Sequence, residues 1–128
     1  MSLTVIVVDD DADSRWLNAC ALRMDPDIAV VGETGDGEAA LTLVQQKHPD
    51  VAVVDVMMPR VNGLELTRRI KRQRPETKVV IVTALVEDAH RRAAYASGAD
   101  DVLRKGETFE MLVPAVRAVA GGADRVKH

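Results

Sequence analysis

The sequence predicts a doubly wound α/β domain, a five-stranded parallel sheet with helices on both faces. Two observations predict it. Five short β-branched runs, Leu3–Val8, Ile28–Val31, Val51–Val54, Lys78–Val82 and Asp101–Arg104, alternate with five stretches of helical periodicity. The runs are also continuously apolar rather than alternating with polar residues, the pattern of strands buried on both faces. Strict alternation of strand and helix calls for parallel strands joined by right-handed crossovers.

Each helical stretch offers an apolar stripe at the spacing of helical turns. Residues 13–24 offer Leu17, Ala21 and Met24 as the expected inward face, and 36–47 offer Ala40, Leu41 and Val44. Residues 63–73 offer Leu66 and Ile70, 87–97 complete the fourth unit, and 108–120 offer Leu112, Ala115, Val116 and Val119. Pro114 falls inside the last stretch. A proline there removes a helix hydrogen bond at a cost of about 3 kcal/mol, so the helix is expected either to kink or to begin afresh near Pro114.

A chain of 128 residues is one domain of ordinary size, and the expected division is a folded domain over 1–121 with 122–128 as a tail or the start of a linker. With 47% apolar and 29% charged residues and no long apolar run, the composition fits a water-soluble protein without a membrane span. The start Met1-Ser-Leu-Thr has no signal-peptide character, and a single cysteine, Cys20, forms no internal disulfide, so a cytoplasmic place is expected. The net charge of -3 argues against a nucleic-acid surface on this domain. Trp16, Tyr95 and Phe109 are the only aromatic residues, which also excludes a base-stacking platform.

In sheets of this class, ligands bind beyond the carboxyl ends of the strands. Strand 1 ends in Asp9-Asp10, strand 3 in Asp55, strand 4 in Thr83 and strand 5 in Lys105, so all five should converge on one edge. Each has an ordinary structural use as well: Asp9, Asp10 or Asp11 as a helix cap, Thr83 as a strand end, Lys105 as a surface cation. Carboxylates 4 Å apart repel by about 4 kcal/mol per pair at an effective dielectric near 20, so something must offset Asp9, Asp10 and Asp55. A divalent cation and Lys105 together balance the three charges. No Cys or His stands beside these residues in sequence to suit zinc, and Mg²⁺, which takes a few carboxylates and leaves room for phosphate and water, fits best. A carboxylate beside Mg²⁺ can act as a nucleophile toward phosphorus, with Lys105 and Thr83 answering phosphoryl oxygens.

The segments Val5-Ile-Val-Val-Asp9-Asp10, Pro49-Asp-Val-Ala-Val-Val-Asp55-Val-Met-Met-Pro59 with Gly63, Val82-Thr83-Ala84 and Gly98-Ala-Asp-Asp-Val-Leu-Arg-Lys105-Gly106 resemble the receiver domain of bacterial two-component response regulators. The resemblance runs from residue 3 to about 120. Leu103-Arg-Lys-Gly106 and Ala115-Val-Arg-Ala-Val-Ala-Gly-Gly122 are most similar to receivers that precede a helix-turn-helix domain of the LuxR/NarL type. The resemblance implies a flavodoxin-like strand order of 2-1-3-4-5. It implies Asp55 as phosphoacceptor, Asp10 and Asp55 as direct Mg²⁺ ligands, Asp9 reaching the ion largely through water, and the backbone carbonyl of Met57 as a further ligand. Thr83 and Lys105 would contact the phosphoryl group, while Pro59 and Gly63 shape the loop into the third helix. Its implied partners are a sensor histidine kinase or phosphotransfer protein, a second copy on phosphorylation, and DNA only through a further C-terminal domain. Such a domain catalyses its own phosphorylation and dephosphorylation and is not an enzyme otherwise.

One departure stands out. Many receivers carry Tyr or Phe three residues before the lysine, where this chain has Val102. Two readings stay open: activation is felt through residues 83–90 and the fourth helix, with Tyr95, or Val102 merely fills the core. Trp16, offset from the expected inward stripe, either anchors a partner or packs on its neighbours. The basic series Arg68, Arg69, Lys71, Arg72 and Arg74 is either a solvated helix face or a docking patch. The alternative function is a Mg²⁺-dependent phosphatase resembling the haloacid dehalogenases, with Asp9 as nucleophile and Asp11 as second acid.

Overall fold

The computed structural model describes residues 2–56, 62–84 and 87–121. Five parallel strands, β1 (Leu3–Val8), β2 (Ile28–Thr34), β3 (Val51–Asp55), β4 (Lys78–Thr83) and β5 (Asp101–Arg104), form one sheet in the order 2-1-3-4-5. The helices α1 (Ala12–Arg23), α2 (Gly37–Lys47), α3 (Gly63–Gln73) and α4 (Asp88–Ala96) connect them, and α5 (Thr108–Ala120) follows β5 after a short 3₁₀ turn at Lys105–Glu107.

The continuous apolar strands serve two cores because successive side chains point to opposite faces. Ile6, Val8, Ala52, Val54, Val79 and Ile81 face one side with Val44, Leu66 and Ile70 of α2 and α3. Val5, Val7, Val51, Val53, Val80 and Val82 face the other with Leu22, Leu112, Val116 and Val119 of α1 and α5. Each fully buried valine or leucine stabilises the fold by about 1.5–3 kcal/mol relative to exposure. The stripes expected on α2, α3 and α5 are the buried ones.

The inward face of α1 differs from the expectation. Leu17 and Met24 are 51% and 70% exposed, and the buried residues are Asn18, Ala19, Ala21 and Leu22. Helical geometry allows either stripe, and the close approach of α1 to the sheet selects the one with small alanines at its centre. Trp16 is exposed beside Leu17. β2 is longer than its apolar run, reaching Thr34 because the pairing with β1 shifts by one residue between Val5 and Ile6 and then resumes from Gly32 to Thr34.

α5 runs through Pro114 and does not begin there. Its first residue Thr108 lends its hydroxyl to the carbonyl of Lys105, tying the helix to the 3₁₀ turn. The basic residues of α3 are engaged: Arg69 pairs with Glu38 at 2.7 Å, Arg68 and Arg72 with Glu65, and half-buried Lys71 bridges the Thr77 carbonyl and Asp100. Arg69 and Lys71 thus tie α3 to other elements, whereas Arg68 and Arg72 pair within α3 on its solvated face and the buried Nε of Arg74 has no hydrogen-bond partner. No helix among the described residues is long and apolar enough to cross a membrane.

Candidate acidic and phosphoryl-binding site

β1 is the point where strand order reverses, since it pairs with both β2 and β3. The crevice at its carboxyl end is where a ligand is expected in this architecture. Asp9 follows β1 and is fully buried, Asp10 is exposed beside it, and Asp55 closes β3 at 3% exposure. One carboxylate oxygen from each of the three lies within 4.8 Å of the others.

The backbone of Asp9 is held from both sides: its N–H donates to the Thr34 carbonyl at 3.0 Å, and its carbonyl accepts from Arg15 Nη1 at 2.7 Å. Asp9 Oδ1 accepts from the Asp11 N–H at 3.0 Å, whereas Oδ2 is buried without a hydrogen-bond partner. A buried carboxylate oxygen left unpaired costs a few kcal/mol. Lys105 Nζ stands 3.4 Å from Asp55 Oδ2 and is the cation next to that buried acid. Three carboxylates against one ammonium leave the cluster negative. This donor set fits a hard divalent cation: oxygen ligands only, an orphaned oxygen among them, and a charge deficit of the right sign.

The neighbouring elements position these groups. Asn62 caps α3 by accepting from the Leu64 N–H at 2.7 Å. Gly63 brings the helix so close that a Cβ there would lie 2.5 Å from the Asp55 carbonyl oxygen, and Thr67 donates to the Gly63 carbonyl at 2.8 Å from within the core. Thr83 ends β4 at 5% exposure, next to β3 in the sheet. The sequence-predicted Asp9, Asp10, Asp55, Thr83 and Lys105 thus all belong to one sheet edge, with the three acids clustered within 4.8 Å and Lys105 in contact with Asp55. Met57 and Pro59 lie outside the described residues. Arg15 was not among the sequence candidates; nothing in a helix arginine signals that it folds back onto the preceding loop.

Asp11 has another use than the phosphatase reading required. It is exposed and caps α1 by accepting from the Ser14 N–H at 3.3 Å. Among the described residues the only cluster of three potential metal-ligating groups is Asp9, Asp10 and Asp55. The haloacid dehalogenase alternative, centred on Asp9 and Asp11, is therefore not supported.

A doubly wound parallel domain with an acidic pocket and a lysine at its carboxyl edge is the class of protein in hand. The chain belongs to the response regulator receiver domain family, whose family model matches residues 5–117. It is 38% identical over 120 residues to the response regulator GacA of Pseudomonas aeruginosa, a match covering 94% of this chain and 56% of that protein. It is 42% identical over 105 residues to protein-glutamate methylesterase/protein-glutamine glutaminase 4 of Myxococcus xanthus, covering 80% of this chain and 30% of that one. The receiver domain of the response regulator NarL from Mycobacterium tuberculosis superposes with a TM-score of 0.89 at 34% identity, covering 94% of this chain and 98% of that one. This chain spans about half the length of the first curated regulators it matches, 56% of GacA and 51% of DegU from Brevibacillus brevis. It is a two-component receiver domain, and phosphorylation on an aspartate is what the family implies.

Proposed function

We propose that Asp55 is the phosphoacceptor and that Asp9, Asp10 and Asp55, with the Met57 carbonyl, hold Mg²⁺. The observation that carries this reading is the convergence of three carboxylates within 4.8 Å, one with a buried partnerless oxygen, on an aspartate that Lys105 already contacts. An Asp55 carboxylate oxygen attacks the phosphorus of a phosphohistidine on a sensor kinase or phosphotransfer protein. A P–O bond forms, the P–N bond breaks, and the released imidazole takes a proton from water. Lys105 turns from the carboxylate to a phosphoryl oxygen, and Thr83 Oγ1 donates to another. When bound, Mg²⁺ supplies the positive charge that lets anionic acceptor and anionic donor approach. Hydrolysis of the acyl phosphate returns the site to rest, so the domain modifies itself and turns over no separate substrate.

The rest of the function follows from that transfer. The carrier works in the cytoplasm, and its output passes to a second copy or to a further C-terminal domain that binds DNA. Val102 is 4% exposed in the core and has no room to report by swinging. The fourth unit is the readier reporter: only Ala94 of α4 is buried, and Tyr95 Oη donates to Asp101 at 3.3 Å. Chemical-shift changes on phosphorylation should therefore reach residues 84–97, and their confinement to the acidic edge would sink this route.

The test of the main reading is incubation with acetyl phosphate and Mg²⁺ followed by intact mass. One phosphoryl group should appear on the wild-type chain and none on Asp55→Asn. No gain in the wild type, or equal gain in the variant, overturns it.

A further inference from the structure

We infer that Arg15 is a positioning residue for the cation site, acting through the Asp9–Asp10 peptide against Gly35; the inference rests on the proposed Mg²⁺ reading. The Asp9 carbonyl that accepts from Arg15 Nη1 at 2.7 Å belongs to the peptide bond between the two acids. The orientation of that peptide plane sets the direction in which Asp10 leaves the backbone. Asp9 is buried and fixed by β1, but Asp10 is exposed and begins the loop into α1. Like-charge repulsion from Asp9 and Asp55 drives Asp10 outward when no cation is bound. A donor that clamps the carbonyl between them opposes that drift.

Gly35 completes the grip from the β2–α2 turn. A Cβ at residue 35 would lie 2.9 Å from Arg15 Nη1, 3.2 Å from Asp10 Cα and 3.3 Å from the Asp9 carbonyl oxygen. The guanidinium is thus held against the peptide by a backbone that can approach only because residue 35 has no side chain. Groups one shell behind metal ligands orient them, and their loss commonly weakens metal binding about tenfold or more. Charge alone predicts the opposite sign. Arg15 is a cation beside a cation site, so if it acted only electrostatically, its removal would tighten binding.

Mg²⁺ titration by calorimetry without any phosphodonor separates the two. Arg15→Met should weaken Mg²⁺ about tenfold. Arg15→Lys, which keeps the charge but ends in a shorter, differently aimed ammonium in place of Nη1, should weaken it in the same direction. Gly35→Ala should weaken it too, because its Cβ would crowd Arg15 Nη1 and press on the Asp9–Asp10 peptide itself. The Asp10 and Asp11 amide resonances should move in Arg15→Met before Mg²⁺ is added. Unchanged or tighter binding in Arg15→Met, or a lowered melting temperature with an unchanged Mg²⁺ constant, overturns the inference. If Arg15→Met does not fold, Arg15→Lys and Gly35→Ala decide by the same criterion. A wild-type chain that takes up no Mg²⁺ would instead overturn the proposed function.

Discussion

At Asp9 the two oxygens of one carboxylate have different surroundings: Oδ1 accepts from the Asp11 amide at 3.0 Å, and Oδ2 is buried with no partner. A fold optimised for stability would not keep a fully buried charge beside two more carboxylates. Replacing it by a neutral isostere should therefore stabilise the metal-free protein. Asp9→Asn is expected to gain about 1–3 kcal/mol in EDTA, seen as a melting temperature a few degrees higher. The rise in melting temperature that Mg²⁺ gives the wild type should shrink in the variant. A variant that melts lower in EDTA would show that the unpaired oxygen carries no such strain.

At the scale of elements, the site depends on how close α3 comes to β3. Gly63 allows the contact with the Asp55 carbonyl, where a Cβ would sit at 2.5 Å, far inside van der Waals distance. Gly63→Ala should destabilise the fold by about 1–3 kcal/mol through overpacking, measured as a lower urea midpoint at unchanged slope. α5 presents the reverse case. Pro114 stands inside a helix of 13 residues and cannot donate to the carbonyl four residues back. Pro114→Ala should raise stability by about 1–3 kcal/mol, since the helix already has the conformation alanine prefers. A loss of stability would mean that the proline ring packs in a way the lost hydrogen bond does not outweigh.

Across the whole molecule, the end of α5 is tied to the loop between α1 and β2, joining residues far apart in the chain. Arg117 donates to Asp25 at 2.6 and 2.9 Å and to Asp27 at 3.1 Å. The hydrogen bond from Arg117 is the main cause that holds the Asp25 carboxyl below its ordinary value of 3.8. A depressed carboxylate contributes stability that is present above its ordinary value and is lost as pH falls through the folded value. The wild type should therefore melt higher than Arg117→Met at neutral pH, and the difference should close as the pH is taken below 3.8. A gap that stays constant with pH would assign the stabilisation to the arginine stem packing, not to the ion pair. The same region holds an open surface groove of about 690 Å³ lined by Met24, Pro26, Phe109, Val113 and Pro114.

The sequence by itself determined the sheet, its helices and the residues at its carboxyl edge, because each is a local property. A β-branched run declares a strand, an apolar stripe declares a helix, and the residue that ends a strand follows from where the run stops. The acids, the threonine and the lysine were legible for that reason, and the family resemblance added their roles. Tertiary structure alone decided which stripe of α1 faces inward, since Leu17 and Met24 satisfy helical spacing as well as Ala19 and Leu22 do. It alone carried β2 on to Thr34, because the one-residue shift against β1 is a property of the pair and not of either strand. It alone brought Arg15 and Gly35 onto the Asp9–Asp10 peptide, a contact between a helix side chain and two loops that no periodicity encodes. The partnerless oxygen of Asp9 belongs to the same kind, for burial without a partner exists only once every neighbour is in place.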